Sequence, residues 1–218
     1  MPWLLALDTT AEFGSLALLR DGFLVEEFPL HSPDGFGHTI FGALEALLAR
    51  HELTPQMIDC YAGATGPGSF TGVRVGLTVV KGLADATGRP VVGISNLQAV
   101  AAFGHSALRA VVLDARRGEV YGALFDAGLR IVQPETVIRF SDWIVGLPSG
   151  DIEFVAQDFT PFNHALVGRR MTQAPRALAA PIAKLAWNEF IEGRAVDPAA
   201  LDANYVRRSD AELLWKEM

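Results

Sequence analysis

Leu4-Leu5-Ala6-Leu7-Asp8-Thr9-Thr10 is the stretch that decides the fold, a short apolar run that ends at an acidic residue. Turn-forming residues continue to Gly14, and a second apolar run occupies positions 15–19 before the turn at Asp21-Gly22. Two apolar runs separated by turn residues are typical of an antiparallel hairpin. The sequence therefore predicts a hairpin whose first strand ends at Asp8.

The same pattern begins again near the middle of the chain. Val111-Val112-Leu113-Asp114 is another apolar run that ends in Asp, and a turn and a further apolar run follow it. At an offset of 106 residues, five positions are identical: Leu7/Leu113, Asp8/Asp114, Ala17/Ala123, Leu18/Leu124 and Gly22/Gly128. A repeat close to half the chain length predicts two duplicated α/β lobes, residues 1–105 and 106–218.

Helices are predicted between and after the strands. Apolar residues recur at helical spacing over 39–50 and again over 73–86, where the pattern ends before a Gly-Arg-Pro sequence. Short apolar runs at 59–64 and 90–94 predict buried strands, and the segments 96–103 and 181–192 predict further helices. This alternation indicates a sheet covered by helices.

Composition restricts the classes of function. The chain has 18 Lys and Arg against 25 Asp and Glu, a formal net charge of −7, so that by itself it is a poor nucleic-acid binder. Half of its 218 residues are hydrophobic, which excludes a disordered chain. The single Cys60 excludes an internal disulfide, and we expect a buried, inert thiol. The most apolar long stretch, 73–94, carries four charged side chains, so we expect a cytoplasmic protein without a membrane span.

The loop 66–72 is glycine-rich, as phosphate-binding loops are, but it departs from each specific motif. Ser69 stands where a Walker A loop needs Lys, and Thr71 stands where a dinucleotide fingerprint needs its third Gly. Two interpretations remain, a structural turn capped by a hydroxyl and an anion site at the start of the following helix. The candidate anion or nucleotide residues are Asp8, Thr9, Gly66, Gly68, Ser69, Thr71 and Asp114.

Asp8 and Asp114 occupy equivalent places in the two predicted repeats. In a two-lobed fold they would face each other across a cleft, where paired carboxylates could hold a hydrated Mg²⁺ beside a nucleotide. Alternatively, each carboxylate accepts backbone N–H bonds within its own turn. The sequence leaves both interpretations open.

Two further patterns have a structural and a functional interpretation. Gly72 and Gly76 allow another element to approach the 73–86 helix closely, either within the lobe or at a subunit interface. Arginine pairs occur at 116–117, 169–170 and 207–208. They are typical of a solvated surface, although pairs joined on one face could contact RNA.

Four segments together resemble the TsaB family, also called YeaZ, and they span the chain in order. They are Leu5-Ala6-Leu7-Asp8-Thr9-Thr10, the loop 66–74, Asp114-Ala115-Arg116-Arg117-Gly118-Glu119-Val120-Tyr121 and Asn204-Tyr205-Val206-Arg207. The resemblance implies the two-lobed ASKHA fold of actin-like and sugar-kinase-like proteins. It also implies a part in making N6-threonylcarbamoyladenosine beside the tRNA anticodon, in a complex with the catalytic paralogue TsaD and the ATPase TsaE. A separate enzyme, TsaC, supplies threonylcarbamoyl-AMP.

The chain departs from the TsaD pattern where TsaD-like proteins hold a metal and adenosine. Their His-x-x-x-His ligand spacing falls on Asn96 and Val100, and valine cannot ligate a metal. The second half also lacks a Gly-Gly adenosine loop. The resemblance therefore implies a non-catalytic scaffold with no catalytic residue, metal or cofactor of its own. The alternatives are a stand-alone ASKHA phosphotransferase that uses Asp8 or Asp114, and a metallohydrolase.

In the TsaB family two helices of the first lobe contact TsaD, and here they correspond to 37–50 and 70–86. We expect an apolar patch on these helices to pack against the partner, and to self-associate as a homodimer when the chain is alone. tRNA is then contacted only through the complex. The predicted partner-binding residues are Phe41, Leu44, Leu48, Val73, Gly76, Leu77 and Val80.

Overall fold

The computed structural model describes residues 1–206, and it divides into two compact units. The first contains residues 1–99 and 175–203, and the second contains residues 100–174 and 204–206. The sequence repeat places a single boundary near residue 105, whereas the chain crosses between units again near 175. The segment 175–203, assigned by the repeat to the second lobe, groups with the first unit.

A mixed five-stranded sheet forms the centre of the first unit. Its strands are β1 (Trp3–Asp8), β2 (Phe13–Arg20), β3 (Phe23–His31), β4 (Cys60–Ala64) and β5 (Val91–Ile94). Their order is β3-β2-β1-β4-β5, with β1, β2 and β3 antiparallel and with β4 and β5 parallel to β1. The predicted hairpin is therefore confirmed, and Asp8 pairs with Ser15 at its end.

The second unit repeats this sheet. Its strands are β6 (Leu108–Asp114), β7 (Glu119–Asp126), β8 (Ile131–Arg139), β9 (Ile152–Ala156) and β10 (Arg170–Gln173). The order β10-β9-β6-β7-β8 is the same as in the first unit, again with an antiparallel half and a parallel half. The predicted duplication of an α/β sheet is therefore confirmed at the level of topology.

The residue equivalence within the repeat differs from the predicted offset of 106. That offset holds for β1 and β6, but Asp8 pairs with Ser15 whereas Asp114 pairs with Val120. The second hairpin is thus one residue shorter, and β2 matches β7 at an offset of 105. Ala17 is equivalent to Gly122 rather than to Ala123, so the identities beyond the first turn are not equivalent positions.

Five α-helices complete the described chain. They are α1 (Ile40–Arg50), α2 (Phe70–Thr87), α3 (Asn96–Ala101), α4 (Phe140–Val145) and α5 (Ala179–Ile191). In the first unit, alternate strand residues such as Leu5 and Leu7 pack with α1 and α2 on one face of the sheet. Helix α5 lies against β1, β2, β4 and β5. Such alternation is expected of strands covered on both faces.

Side chains from the sheet fix the start of α5. Ser15 Oγ accepts hydrogen bonds from the backbone N–H groups of Leu178 (3.1 Å) and Ala179 (2.8 Å). Glu27 Oε1 accepts another from Ala180 N–H at 2.9 Å. These bonds satisfy donors that a helix start leaves unpaired, so residues 153 to 164 positions away in sequence act as the helix cap.

Cys60 is fully buried on β4, as the sequence predicts, and burial raises the pKa of its thiol to about 12. A thiol with this pKa is a poor nucleophile, because the thiolate is the reactive form. No helix within residues 1–206 has both the length and the apolar character needed to cross a lipid bilayer.

Candidate functional site

The turn after β1 is a buried polar network centred on Asp8, which is only 2% exposed. Asp8 Oδ1 accepts hydrogen bonds from Thr10 N–H at 3.0 Å and from the Thr10 hydroxyl at 2.7 Å. The Asn96 side-chain amide donates to the same Asp8 oxygen at 3.4 Å and to Thr10 Oγ1 at 2.7 Å. The carboxylate therefore serves its own turn, which is one of the two interpretations left open by the sequence.

Burial raises the pKa of the Asp8 carboxyl above its ordinary value. The hydrogen bonds from Thr10 and Asn96 oppose that rise, because they favour the charged form, but desolvation is the larger effect. A carboxyl in this setting is costly to ionise and is well placed to hold its neighbours in position.

Asn96 joins this network to the glycine-rich loop. Its side-chain Oδ1 accepts from Gly66 N–H at 3.0 Å, and its own backbone N–H donates to Gly66 O at 2.9 Å. Thus Asn96, at a position where TsaD-like proteins are expected to carry a metal ligand, instead bridges two loops. Val100, the other such position, is fully buried.

The start of α2 packs directly onto the same turn. Thr9 Oγ1 donates to Gly72 O at 2.7 Å, and Ser69 N–H donates to Thr10 O at 2.7 Å. Ser69 caps α2, because its hydroxyl accepts from Gly72 N–H at 3.3 Å. A Cβ on Gly68 would lie 2.7 Å from Thr10 O. The glycine-rich loop and the Thr9–Thr10 turn are therefore packed directly against each other, which favours the interpretation of this loop as a structural turn.

Glycine at 72 and 76 is required for packing within the first unit. A Cβ on Gly72 would lie 2.2 Å from Thr9 O, and a Cβ on Gly76 would lie 2.5 Å from Thr9 Oγ1. Both distances are shorter than any real contact to a Cβ. The element that approaches α2 closely is therefore the Thr9 turn of the same unit.

Asp114 occupies the equivalent turn of the second unit but is exposed. Its Oδ1 accepts from Arg116 N–H at 2.7 Å, which is the same bond that Asp8 makes to Thr10. Both carboxylates therefore cap their own turns. Among residues 1–206, no group of three or more His, Cys, Asp and Glu side chains is arranged to hold a metal ion.

Most of the predicted partner-binding residues belong to the core, which corrects the prediction of an exposed patch. A buried side chain presents no surface to a partner, and the amphipathic pattern that we assigned to an interface is the pattern of the core-facing stripe. Of the seven, only Phe41 is exposed, at 62%. The six that are buried are Leu44, Leu48, Val73, Gly76, Leu77 and Val80.

A shallow apolar groove lies on the outer side of α1 and α2, with a volume of about 410 Å³. Phe41 and Phe70 are its most prominent apolar side chains, and Phe70 is 46% exposed. The Arg74 guanidinium lies 3.7 Å from the centre of the Phe70 ring. The groove residues are Gly37, Ile40, Phe41, Phe70, Thr71, Arg74, Val75 and Thr78.

The sequence does contain a pattern that corresponds to this groove, but helical periodicity alone does not distinguish it from the stripe of α2 that faces the core. Phe70, Arg74 and Thr78 recur every four residues along α2, beside the buried series at 73, 77 and 80. Thr71, predicted for an anion site, lies in the groove instead.

The arginine pairs do not share one face of the second unit. Arg116 and Arg117 follow the carboxyl end of β6, whereas Arg170 begins β10, which runs parallel to β6 through β9. The two pairs therefore lie at opposite ends of the sheet, and Arg170 pairs with Asp151 at 3.7 Å. The pair 207–208 lies outside the described residues.

A mixed sheet of this strand order, present twice, is the ASKHA fold. Component A of the (R)-2-hydroxyglutaryl-CoA dehydratase of Acidaminococcus fermentans matches over 87% of this chain and 99% of its own, with a TM-score of 0.51 and 10% identity, which shows the fold alone.

Three comparisons give the family. The family model described as TsaD: tRNA N6-adenosine threonylcarbamoyltransferase matches residues 31–188. The tRNA threonylcarbamoyladenosine biosynthesis protein TsaB of Bacillus subtilis is 29% identical over 98% of both chains. YeaZ from Pseudomonas aeruginosa superposes with a TM-score of 0.78 at 29% identity, over 94% of this chain and all of that one. The chain belongs to the TsaB (YeaZ) family, whose name states a role in tRNA threonylcarbamoyladenosine biosynthesis.

Proposed function

We propose that this chain is a non-catalytic subunit of the threonylcarbamoyladenosine machinery that binds a TsaD-like catalytic paralogue through the outer face of α1 and α2. The observation that carries the proposal is the exposed groove, where Phe41 and Phe70 stay open to solvent while other large apolar residues of the two helices, such as Leu44 and Leu77, are buried. Protein interfaces are enriched in aromatic residues and arginine at such centres.

The composition of the groove suits a matching pair of helices on the partner. Phe41 comes from α1 and Phe70 from the first turn of α2, so a partner helix lying between them would bury both rings. Arg74, stacked on Phe70, would bring a planar guanidinium to the same centre. The small Gly37 and Thr71 at the groove edge leave room for a close approach.

The Asp8 turn has no catalytic role in this scaffold. The polar groups of this turn are used in hydrogen bonds to one another and to the loop and helix start beside it. The residues concerned are Asp8, Thr9, Thr10 and Asn96. An Asn and a buried Val stand at the positions corresponding to the metal ligands of the paralogue. A substrate activated by metal and adenine contacts would therefore belong to the partner.

The rest of the proposal follows from the family. The complex includes a TsaE-like ATPase, it acts on tRNA in the cytoplasm, and the chain self-associates through the same groove when its partner is absent. An exposed apolar groove favours such self-association, because pairing removes its surface from water.

The test is tRNA threonylcarbamoylation reconstituted with TsaD, TsaE and TsaC from the same source. Product is expected only when this chain is added, and the chain alone is expected to hydrolyse no ATP. Equal product without the chain would refute the proposal, and ATP turnover by the chain alone that is lost in Asp8→Asn would support the phosphotransferase alternative.

A matched pair of variants locates the surface. Phe41→Asp is expected to weaken pairing with TsaD by at least tenfold in an equilibrium titration, because a charge would replace the central ring. Phe23→Asp, at a Phe that is 78% exposed on the β2–β3 hairpin, is the control and is expected to leave pairing unchanged. Equal effects of both changes would place the interface elsewhere.

A further inference from the structure

The β6–β7 turn has an uncommon backbone. Arg116, Arg117 and Gly118 are three consecutive residues with positive φ, at 64°, 57° and 76°. Only glycine adopts this conformation without strain, so two successive arginines there lower the stability of the fold. Both arginine side chains are exposed and contribute nothing to the core.

Surrounding hydrogen bonds hold the turn in this conformation. Arg116 N–H donates to Asp114 Oδ1 at 2.7 Å, and Glu119 N–H donates to Arg116 O at 3.0 Å. Phe140 N–H, at the start of α4, donates to Gly118 O at 3.2 Å. The two guanidinium groups therefore project from a fixed backbone rather than from a free loop.

The charge around the turn differs from that of the rest of the protein. Residues 100–174 contain seven arginines and no lysine against eight acidic residues, whereas 1–99 and 175–203 together contain eight basic residues against fourteen acidic ones. A third exposed arginine, Arg139, ends β8 opposite Glu119 on β7. The second unit is therefore the less acidic one, with arginines gathered at the carboxyl end of β6.

We propose that this turn contacts the phosphate backbone of RNA. The planar guanidinium matches two phosphate oxygens at once, and arginine is the side chain suited to that geometry. Two adjacent arginines on an exposed turn fit an extended polyanion better than a small anion, which needs an enclosing pocket. The inference rests on the proposed function, since it adds a contact to the tRNA that the complex modifies.

The equivalent turn of the first unit shows that the fold does not require this arrangement. There Asp8 makes the same carboxylate-to-backbone bond, but its partner Thr10 is buried and is followed by the uncharged Ala11. The basic, exposed turn is therefore specific to the second copy.

The test measures the affinity of the assembled chain–TsaD complex for a fluorescein-labelled, unmodified tRNA transcript that reads codons beginning with A. Arg116→Ala/Arg117→Ala is expected to weaken binding at least tenfold and to reduce the slope of log affinity against log salt by about 1.4 to 1.8, at about 0.7–0.9 for each of two phosphate contacts. The control is Arg130→Ala/Arg169→Ala, which removes the same charge from two exposed arginines at the opposite end of the sheet. It is expected to change affinity less than twofold.

Two further variants separate contact from folding. Arg116→Gly/Arg117→Gly relieves the left-handed strain, so it is expected to raise the melting temperature while it still weakens tRNA binding. Arg116→Lys/Arg117→Lys retains the charge and is expected to keep most of the salt slope. Equal affinity of the alanine pair and its control would overturn the inference.

Failure of this inference is distinguishable from failure of the proposed function. If the alanine pair still assembles with TsaD and binds tRNA normally, the RNA contact is wrong and the scaffold role stands. If the alanine pair loses TsaD binding, the turn is a protein contact, which also overturns the RNA inference.

Discussion

Replacing Gly72 by Ala tests how α2 is seated on the Thr9 turn. The new Cβ would lie 2.2 Å from Thr9 O, which is a backbone atom and cannot rotate away. Relief of about 1 Å of overlap in a packed region costs about 2–3 kcal/mol, and displacing the Thr9 hydroxyl from Gly72 O costs about 1 kcal/mol more. The higher helix propensity of Ala offsets about 1 kcal/mol of this cost. Gly72→Ala should therefore lower the free energy of unfolding by about 2–3 kcal/mol.

The matched control lies in the same helix. Gly82 is exposed, and nothing lies within 4 Å of the Cβ that Ala would add there. Gly82→Ala should stabilise the protein by about 0.5–1 kcal/mol, because only helix propensity changes. Urea unfolding followed by tryptophan fluorescence measures both changes, and the melting temperatures should move in opposite directions by a few degrees.

The comparison decides between the two roles considered for the glycines. If Gly72→Ala were as stable as Gly82→Ala, the Thr9 turn would not lie against α2. If Gly72→Ala kept full stability but lost pairing with TsaD, the glycines would form a subunit interface and the intramolecular packing would be wrong.

Three further predictions concern the core, the buried carboxyl and the long-range cap. Leu77→Ala should lower the free energy of unfolding by about 2–4 kcal/mol because Leu77 is buried, whereas Phe41→Ala at an exposed site should change it by less than about 0.5 kcal/mol. Similar values for the two variants in urea unfolding would contradict this difference in burial. The raised pKa of Asp8 means that ionisation of its carboxyl opposes folding, so the stability of the wild type should fall as the pH rises above 3.8. Asp8→Asn should therefore gain on the wild type with rising pH, and a pH-independent difference in urea unfolding would contradict this sign. Ser15→Ala should cost about 1–3 kcal/mol in the same assay because it leaves two buried N–H groups of α5 unpaired, whereas Ser141→Ala at an exposed site should cost little.

The strand–Asp–hairpin pattern predicted the architecture because it depends only on residues that are close together in sequence. Alternation and turn residues identify a hairpin without knowledge of what covers it, so both copies were predictable. Strands β8 and β10 were not predicted. Both are edge strands with much exposed surface, and β8 contains Pro134, so neither shows the apolar alternation of a central strand.

The placement of α5 depends on long-range contacts that periodicity does not contain. The helix itself was predictable over 181–192, but its packing on the first sheet depends on Ser15 and Glu27, which lie far away in sequence. The sequence repeat places this helix in the second half of the chain, whereas its contacts are with strands of the first sheet.

The proposed partner surface shows the same limit within a single helix. Val73, Leu77 and Val80 form one apolar stripe of α2, and Phe70, Arg74 and Thr78 form another. Helical spacing identifies both stripes but does not tell which one faces the sheet. The more strongly apolar stripe is the one that packs in the core, because removing apolar surface from water is what favours that composition.

The turn at Asp8 supports the proposal that this chain functions through a surface. At Asp8 the turn is closed by Asn96 and by the start of α2, and its polar groups are used internally. The same closure fixes the first turn of α2, and with it Phe70 and Thr71 in the groove. A cavity able to hold a substrate would need those polar groups free, whereas a surface that docks a partner needs them fixed. The buried network is therefore better suited to positioning the groove than to chemistry, and changes that loosen it, such as Asn96→Ala, should weaken pairing with TsaD without touching the interface.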